Sequence, residues 1–479
     1  MSNNTIKILK HNFLRYIIAT SYLLFANPSF ASQSDLGCEV ITDQIIRTSS
    51  ISKPGYLQSV IDPVYNAKIT RVCGDPGTPI TYQDGTTQGT WGSICRHEYS
   101  KQQSWNANQS VIWLQYSGIF LDGNSYKPIK LSRPTYSHEY PRWHPTNPDL
   151  MVYTYYDGSV NEVGFYNVKT KTKTNTKTFT EYGKLFFGPG EGNLSHDGNM
   201  VALFSKSTNK AFAYNLNTQQ KYPDIDLSSF INQSATEPID WVSISASGKY
   251  VVVNIYRPAS QSEFDTTRVF DLNGQQVGPY WSQTSCPSHY DLTLDENGED
   301  VAVGVCKYKN ELVSDYGMVK RRLIDGKITS LGTRTQSSHT STRNLSRLGY
   351  AYTSNPYGNP IYKNQLLSLK LDGSIVERLA YFPNIRTESD YQTEPHAVVS
   401  PDGKKILAAS NWEDSSLRPI QAYIIEPCIT KNNVSSSPIS GDLNDDGKVN
   451  LLDFNLLISK FGNPYTLMDF NNIIANFGK

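Results

Sequence analysis

The chain holds 479 residues, with 44 Lys plus Arg against 44 Asp plus Glu and a formal net charge of zero. A neutral balance offers no electrostatic footprint for nucleic acid, so no such partner is expected. No apolar stretch reaches the ~20 residues that a membrane-spanning helix needs, and no membrane insertion is expected.

The first residues read as a targeting segment. Lys7, Lys10 and Arg15 precede the apolar run YIIATSYLLFA (16–26), and Ser29 and Ala31 form a small-x-small site. This pattern marks residues 1–31 as a secretory signal cut after Ala31. The mature chain is expected outside the cell, or in the periplasm of a two-membrane bacterium. Export permits disulfides, and all six Cys lie after the signal. Cys286 and Cys306 bracket a predicted hairpin, Cys73 and Cys95 staple the first loop, and Cys38 and Cys428 remain to join the two ends.

Short strands follow. Residues 54–72 read as strands with a turn at Asn66, supplying outer strands to a blade that the segment 419–427 completes. Between them, a polar anchor followed by a β-rich stretch occurs seven times, at intervals of 41 to 57 residues. The anchors are His97, His138, Glu191, Asp240, His289, His339 and His396. Turns such as SHDGN (195–199), SASGK (245–249), DENGE (295–299) and SPDGK (400–404) separate the first two strands of each unit, with Gly where a positive φ is needed. A period of about 50 residues built from alternating strands predicts an all-β fold, a seven-bladed β-propeller over residues 32–428. In such a ring every innermost strand starts at the rim of one funnel. Seven anchors therefore converge, and five of them are His.

After Cys428 the texture changes. Residues 429–440 form a polar, Ser-rich linker. In 441–479, Asp442, Asn444, Asp446, Lys448 (through its carbonyl), Asn450 and Asp453 stand at loop positions 1, 3, 5, 7, 9 and 12 of an EF-hand pattern, and Gly447 provides the sharp turn. LLDFNLLISKFG (451–462) and LMDFNNIIANFG (467–478) align at an offset of 16. Tandem loop-plus-helix copies with Asp at position 12 resemble a type I dockerin. The resemblance implies a small α-helical EF-hand-type module, calcium and a cohesin-type partner. Only NPYT (463–466) separates the copies, so the second calcium loop is missing and one ion is expected.

SPDGKKILAAS (400–410) resembles the repeat of TolB-type (PD40) propellers, and with His just upstream it resembles the oligogalacturonate lyases. The His-anchored pattern as a whole is similar to propeller polysaccharide lyases, ulvan lyases among them. These resemblances imply β-elimination from an acidic, uronate-containing polysaccharide or oligosaccharide by a monomeric secreted lyase. That reaction needs the carboxylate neutralised, a base and an acid, and His and Tyr suit the last two roles near neutral pH. By resemblance, His289, His339 and His396 hold a divalent metal (manganese, zinc or calcium), with Glu394 or Gln392 as a further ligand.

RHEYSK (96–101) and SHEYPRWH (137–144) share an His-Glu-Tyr string. If extended, they bring His97, Tyr99 and Lys101, and His138, Tyr140 and Arg142, onto one side of their strands. His138, Tyr140, His97 and Tyr99 are thus the catalytic residues expected. Arg142, Lys101, Arg343, Tyr290 and Trp241 are expected to bind substrate, Trp241 as a stacking platform. His144 and His196, in turns, read as surface residues, and the loop 74–94 as a lid. Two other readings remain: a non-catalytic glycan- or protein-binding propeller, in which the anchors only bond neighbouring backbone, and a glycoside hydrolase using Glu191 and Asp240.

Overall fold

The computed structural model describes residues 34–41, 48–134, 139–188, 191–260, 263, 265–308, 310–313, 316–332, 339–355, 362–429, 443, 449, 451–459, 461 and 467–477. The expected signal and His138 lie outside these residues. Seven sheets of three to six strands follow one another along the chain as the blades of a β-propeller. Blade two is typical, with Arg142–Trp143, Leu150–Tyr156, Asn161–Asn167 and Thr172–Thr178 paired antiparallel from the inside outwards. Second strands such as MVALFS (200–205) and DVAVGVC (300–306) are buried along their whole length. Neighbouring blades cover both faces there, which is why these strands run apolar without alternation. The outer strand TKTNTKT (172–178) is mostly exposed and polar, as an unpaired edge should be.

The repeated turn has a local cause. The hydroxyls of Ser195, Ser245 and Ser400 accept from the amides of Met200, Tyr250 and Lys405 at 3.0, 3.2 and 2.9 Å. The turn glycines Gly198, Gly248 and Gly403 stand at φ 78°, 79° and 76°, a region that costs a side chain strain. In blade one, Asn106 accepts from Val111 N at 3.0 Å and Gln109 takes the left-handed position at φ 60°.

The ring closes by mixing the two ends of the chain. Val398–Val399, Ile406–Ser410 and Ile420–Glu426 form the inner part of blade seven, and Lys68–Arg71 and Ser59–Ile61 form its outer part. Asn66 turns between those outer strands at φ 53°. Glu39–Val40 adds an edge strand to blade six. The disulfides pair Cys38 with Cys428, Cys73 with Cys95 and Cys286 with Cys306, as the spacing predicts.

The loop 74–94 departs from its expected role. Pro79–Thr81 and Thr87–Thr90 pair as a hairpin, Gln83 N donates to Pro128 O of blade one's outer strand at 2.8 Å, and Trp91 packs on Tyr56 at 5.5 Å. These contacts clamp it to the outer rim, so it does not lie over the funnel.

In the C-terminal segment, the helices Leu451–Ser459 and Leu467–Asn476 bury Leu457 and Ile473 together with Val449. Asp453 is buried and accepts from Leu443 N at 2.8 Å. Asp442, Asn444, Asp446, Lys448 and Asn450 lie outside the described residues, so two short helices are what the structure contributes here. No described helix is long and apolar enough to cross a membrane.

Candidate metal centre and adjoining cavity

The inner strands of blades five, six and seven begin on one face of the ring, and three imidazoles meet there. Ring centroids of His289 and His339 are 5.0 Å apart, and those of His339 and His396 4.3 Å. His289 and His396 take up left-handed backbone at φ 46° and 44°, uncommon for residues with side chains and found where surrounding structure enforces it. Glu394 completes the group. Its Oε2 lies 3.2 Å from His339 Nδ1 and 3.6 Å from His396 Nε2. The ligand atoms of His339, Glu394 and His396 all fall within 4.8 Å of one another, and all three residues are buried.

Neighbouring groups orient this set. Arg386 donates through Nε and Nη2 to Glu394 Oε1 at 3.0 and 2.9 Å, which turns Oε2 towards the imidazoles. His396 Nδ1 lies 3.2 Å from the Glu98 carbonyl. A proton placed there leaves Nε2 with the lone pair, and Nε2 makes no hydrogen bond. Burial, then the neighbouring imidazoles, hold His339 well below the usual histidine pKa; burial, Arg96 and His97 do the same for His396. Two neutral imidazole nitrogens and one carboxylate oxygen are a donor set for a borderline divalent metal ion. The residues fit such an ion.

A cavity of about 200 Å³ opens beside the cluster, against blades four and five. Tyr99, Lys101, Glu191, Asp240, His289 and Lys307 line it, with Tyr391 at its edge. His289 is exposed to this space, yet desolvation within the funnel, with Lys307 and Lys101 nearby, pushes its pKa down to about 4. Lys101 pairs with Glu191 and lies over Trp241 at 4.3 Å and over Tyr99 and Tyr290 at 5.6 Å each. Asp240 keeps contact with solvent, but partial desolvation and the charge of Glu191 push its carboxyl up to about 7. Tyr99 stands 5.0 Å from both His339 and His396, and burial raises its hydroxyl well above the usual range.

The structure brings His289, His339, His396, Glu394, Tyr99 and Lys101 near one another, but of the three His expected to hold a metal only His339 and His396 belong to the group that converges with Glu394, His289 facing the cavity instead; the other expected residues are placed differently. RHEYSK ends in a turn, with Gln102 N donating to Tyr99 O at 3.1 Å; Tyr99 and Lys101 share the cavity wall as expected, and His97 departs from it. His97 is fully buried and donates from Nε2 to the His396 carbonyl at 2.6 Å, a clasp where the ring closes; burial lowers its pKa to about 3. Tyr140 packs edge-on to Trp113 at 5.9 Å, away from Tyr99's position, because Trp113 offers an apolar slot in blade one. Arg142 donates to the carbonyls of Gly192 and Gly188 at 2.9 and 3.1 Å and ties blade two to blade three. Arg343 makes a two-pronged pair with Asp291 at 2.9 and 2.8 Å, between blades six and five. Neither guanidinium is left for a substrate carboxylate.

Trp241 is buried, with Lys101 and Tyr290 (ring at 5.2 Å) against it, which leaves no face for a sugar. Tyr290 is buried too, its hydroxyl 2.8 Å from Thr267 Oγ1. His144 is buried rather than at the surface and accepts at Nδ1 from Asn147 N at 3.0 Å, and His196 is half-buried. Three residues escaped the sequence reading. Lys307 directly follows the second strand Asp300–Cys306, a position at the same rim as the anchors, so strand register could have found it. Arg386 and Tyr391 sit in a long connection with no periodic signal.

No protein-family model and no curated protein matches this sequence. Among solved structures, the chain is similar to an oligogalacturonate lyase in complex with manganese, with a TM-score of 0.48 and 13% identity, covering 78% of this chain and 97% of that one. An oligogalacturonate lyase from Vibrio parahaemolyticus gives 0.48 and 11%, covering 77% and 96%. TolB from Acinetobacter baumannii gives 0.30 and 14%, covering 54% and 58%.

Proposed function

We propose that this protein is a lyase that cleaves an acidic, uronate-containing glycan by β-elimination at the funnel. The observation that carries the reading is the convergence of His339, Glu394 and His396 within 4.8 Å of one another, next to a cavity lined by Lys101, Tyr99 and His289. A divalent ion held there would neutralise the uronate carboxylate and acidify the adjacent carbon. Two nitrogen donors suit manganese or zinc better than calcium, which seeks six or more oxygens. His289, the imidazole open to the cavity, is placed to take the proton. Tyr99, held protonated, would give one to the leaving oxygen, and Lys101, paired with Glu191, braces the cavity wall. His97, Tyr140, Arg142 and Arg343 act in this reading by holding the blades in register.

A hydrolase reading has one observation in its favour: Glu191 and Asp240 line the same cavity, and Asp240 is shifted up to about 7, as an acid in a carboxylate pair would be. Incubation with pectic, ulvan, alginate and glycosaminoglycan substrates separates the two. Ultraviolet absorbance from unsaturated uronides, lost together with bound manganese or zinc in His339→Ala and His396→Ala, is the expected result. New reducing ends without absorbance would establish the hydrolase; glycan binding with neither signal would establish a binding module.

The three disulfides support export, checked by whether the exported protein begins at Ser32. The tail's repeated helices support the dockerin-like reading with one calcium and a cohesin-type partner. Calorimetric calcium titration of the full chain and of Asp453→Ala tests it, and equal heats in both would dismiss it.

A further inference from the structure

We propose that a groove beside the cavity holds further sugar units of the same acidic glycan, so that the protein grips an extended chain rather than a short end. This rests on the lyase reading above. The groove, about 890 Å³, runs across blades two to four and shares Asp240 with the cavity. It opens on the funnel face: Tyr156, Lys206 and Tyr256 stand at or just beyond the ends of second strands, and Glu237 to Asp240 lead into an inner strand. Its size lies in the range of pockets that enclose a ligand larger than one sugar ring.

The lining suits a polyuronate. Lys184 and Lys206 are exposed, and neither has a carboxylate within ion-pair distance among the described residues. Tyr256 is 40% exposed, and the Arg257 guanidinium backs one side of its ring at 3.9 Å, which leaves the other side for a sugar face. Of the carboxylates present, Glu139 is buried and accepts from Phe187 N at 3.0 Å and Gly188 N at 2.6 Å, so it does not confront the ligand. Burial also pushes Glu139 up to about 7, and Asp240 is shifted likewise. Glu237 is the remaining carboxylate of the lining, exposed beside two free ammonium groups.

The test is calorimetry of the full chain at physiological salt with size-graded oligogalacturonates, oligoalginates and ulvan oligosaccharides from two to eight units. A His289→Ala background, without its base, keeps the chains intact. The proposal expects affinity to rise with length in at least one series. Lys184→Ala/Lys206→Ala should weaken the longest members about tenfold or more, the worth of a charge-assisted contact, and leave the shortest unchanged. Affinity that is flat with length, or a double variant indistinguishable from its parent, overturns the groove and leaves the lyase reading standing. No binding by any series overturns both. Tyr256→Ala serves as a second variant and is expected to weaken long chains only.

Discussion

Arg386 illustrates how a single side chain can govern a site that it does not enter. It holds one oxygen of Glu394 with two nitrogens, and the other oxygen is thereby aimed at His339 and His396. Groups that orient metal ligands in this way typically change affinity 10–100-fold when removed. Arg386→Leu is therefore expected to weaken zinc or manganese binding by about 10–100-fold, with the fold intact by circular dichroism. Unchanged metal affinity would show that Glu394 is held by something else. Arg142 and Arg343 teach the opposite lesson at the same scale. Arginines beside a funnel look like carboxylate ligands in a sequence, yet a buried guanidinium must satisfy its donors locally, and here the carbonyls of Gly188 and Gly192 and the carboxylate of Asp291 do so.

At the scale of the element, the inner turns do two jobs, and the glycines separate them. Gly298 stands at φ 75° with open space where a Cβ would be, whereas at Gly403, φ 76°, a Cβ would come within 2.7 Å of Arg347 Cβ and 2.9 Å of Tyr352 Oη. Gly298→Ala meets only the backbone penalty, about 1 kcal/mol. Gly403→Ala adds a collision with the Arg347 hub, which pairs with Glu377 and Asp35, and should lose about 2–3 kcal/mol in total. Urea midpoints of the two variants check the ranking, and equal losses would refute it. The turns were legible because Ser-x-Asp-Gly is local chemistry. RHEYSK was legible in part: Tyr99 and Lys101 share the cavity wall, as alternation implies, while His97 is drawn to the His396 carbonyl where the ring closes.

For the whole molecule, the decisive device is the closure that places strands 59–61 and 68–71 outside the C-terminal strands of blade seven. Cys38 and Cys428 bridge 390 residues, and Cys73 and Cys95 bridge 22. If a cross-link acts by restricting the unfolded chain, stabilisation grows with the logarithm of the loop. Replacing the terminal pair by Ser should then cost about 2.5 kcal/mol more than replacing the short one, read from denaturant unfolding. A smaller loss for the terminal pair would point to strain or unfolded-state structure instead.

The period, the seven blades, the three disulfide pairs and the meeting of His289, His339 and His396 were legible in the residues alone. The blades and the meeting of the imidazoles follow from strand periodicity, because equivalent positions in a ring must converge; the disulfides follow from where the Cys fall around a hairpin, a loop and the two chain ends. Which of the convergent groups face open space depends on packing between blades. Glu394 is aimed by Arg386, Tyr99 reaches the imidazoles while Tyr140 packs on Trp113, and Lys101 covers Trp241. Those outcomes depend on how buried donors and acceptors are satisfied between blades some 50 residues apart in the chain, and periodicity carries no information about that.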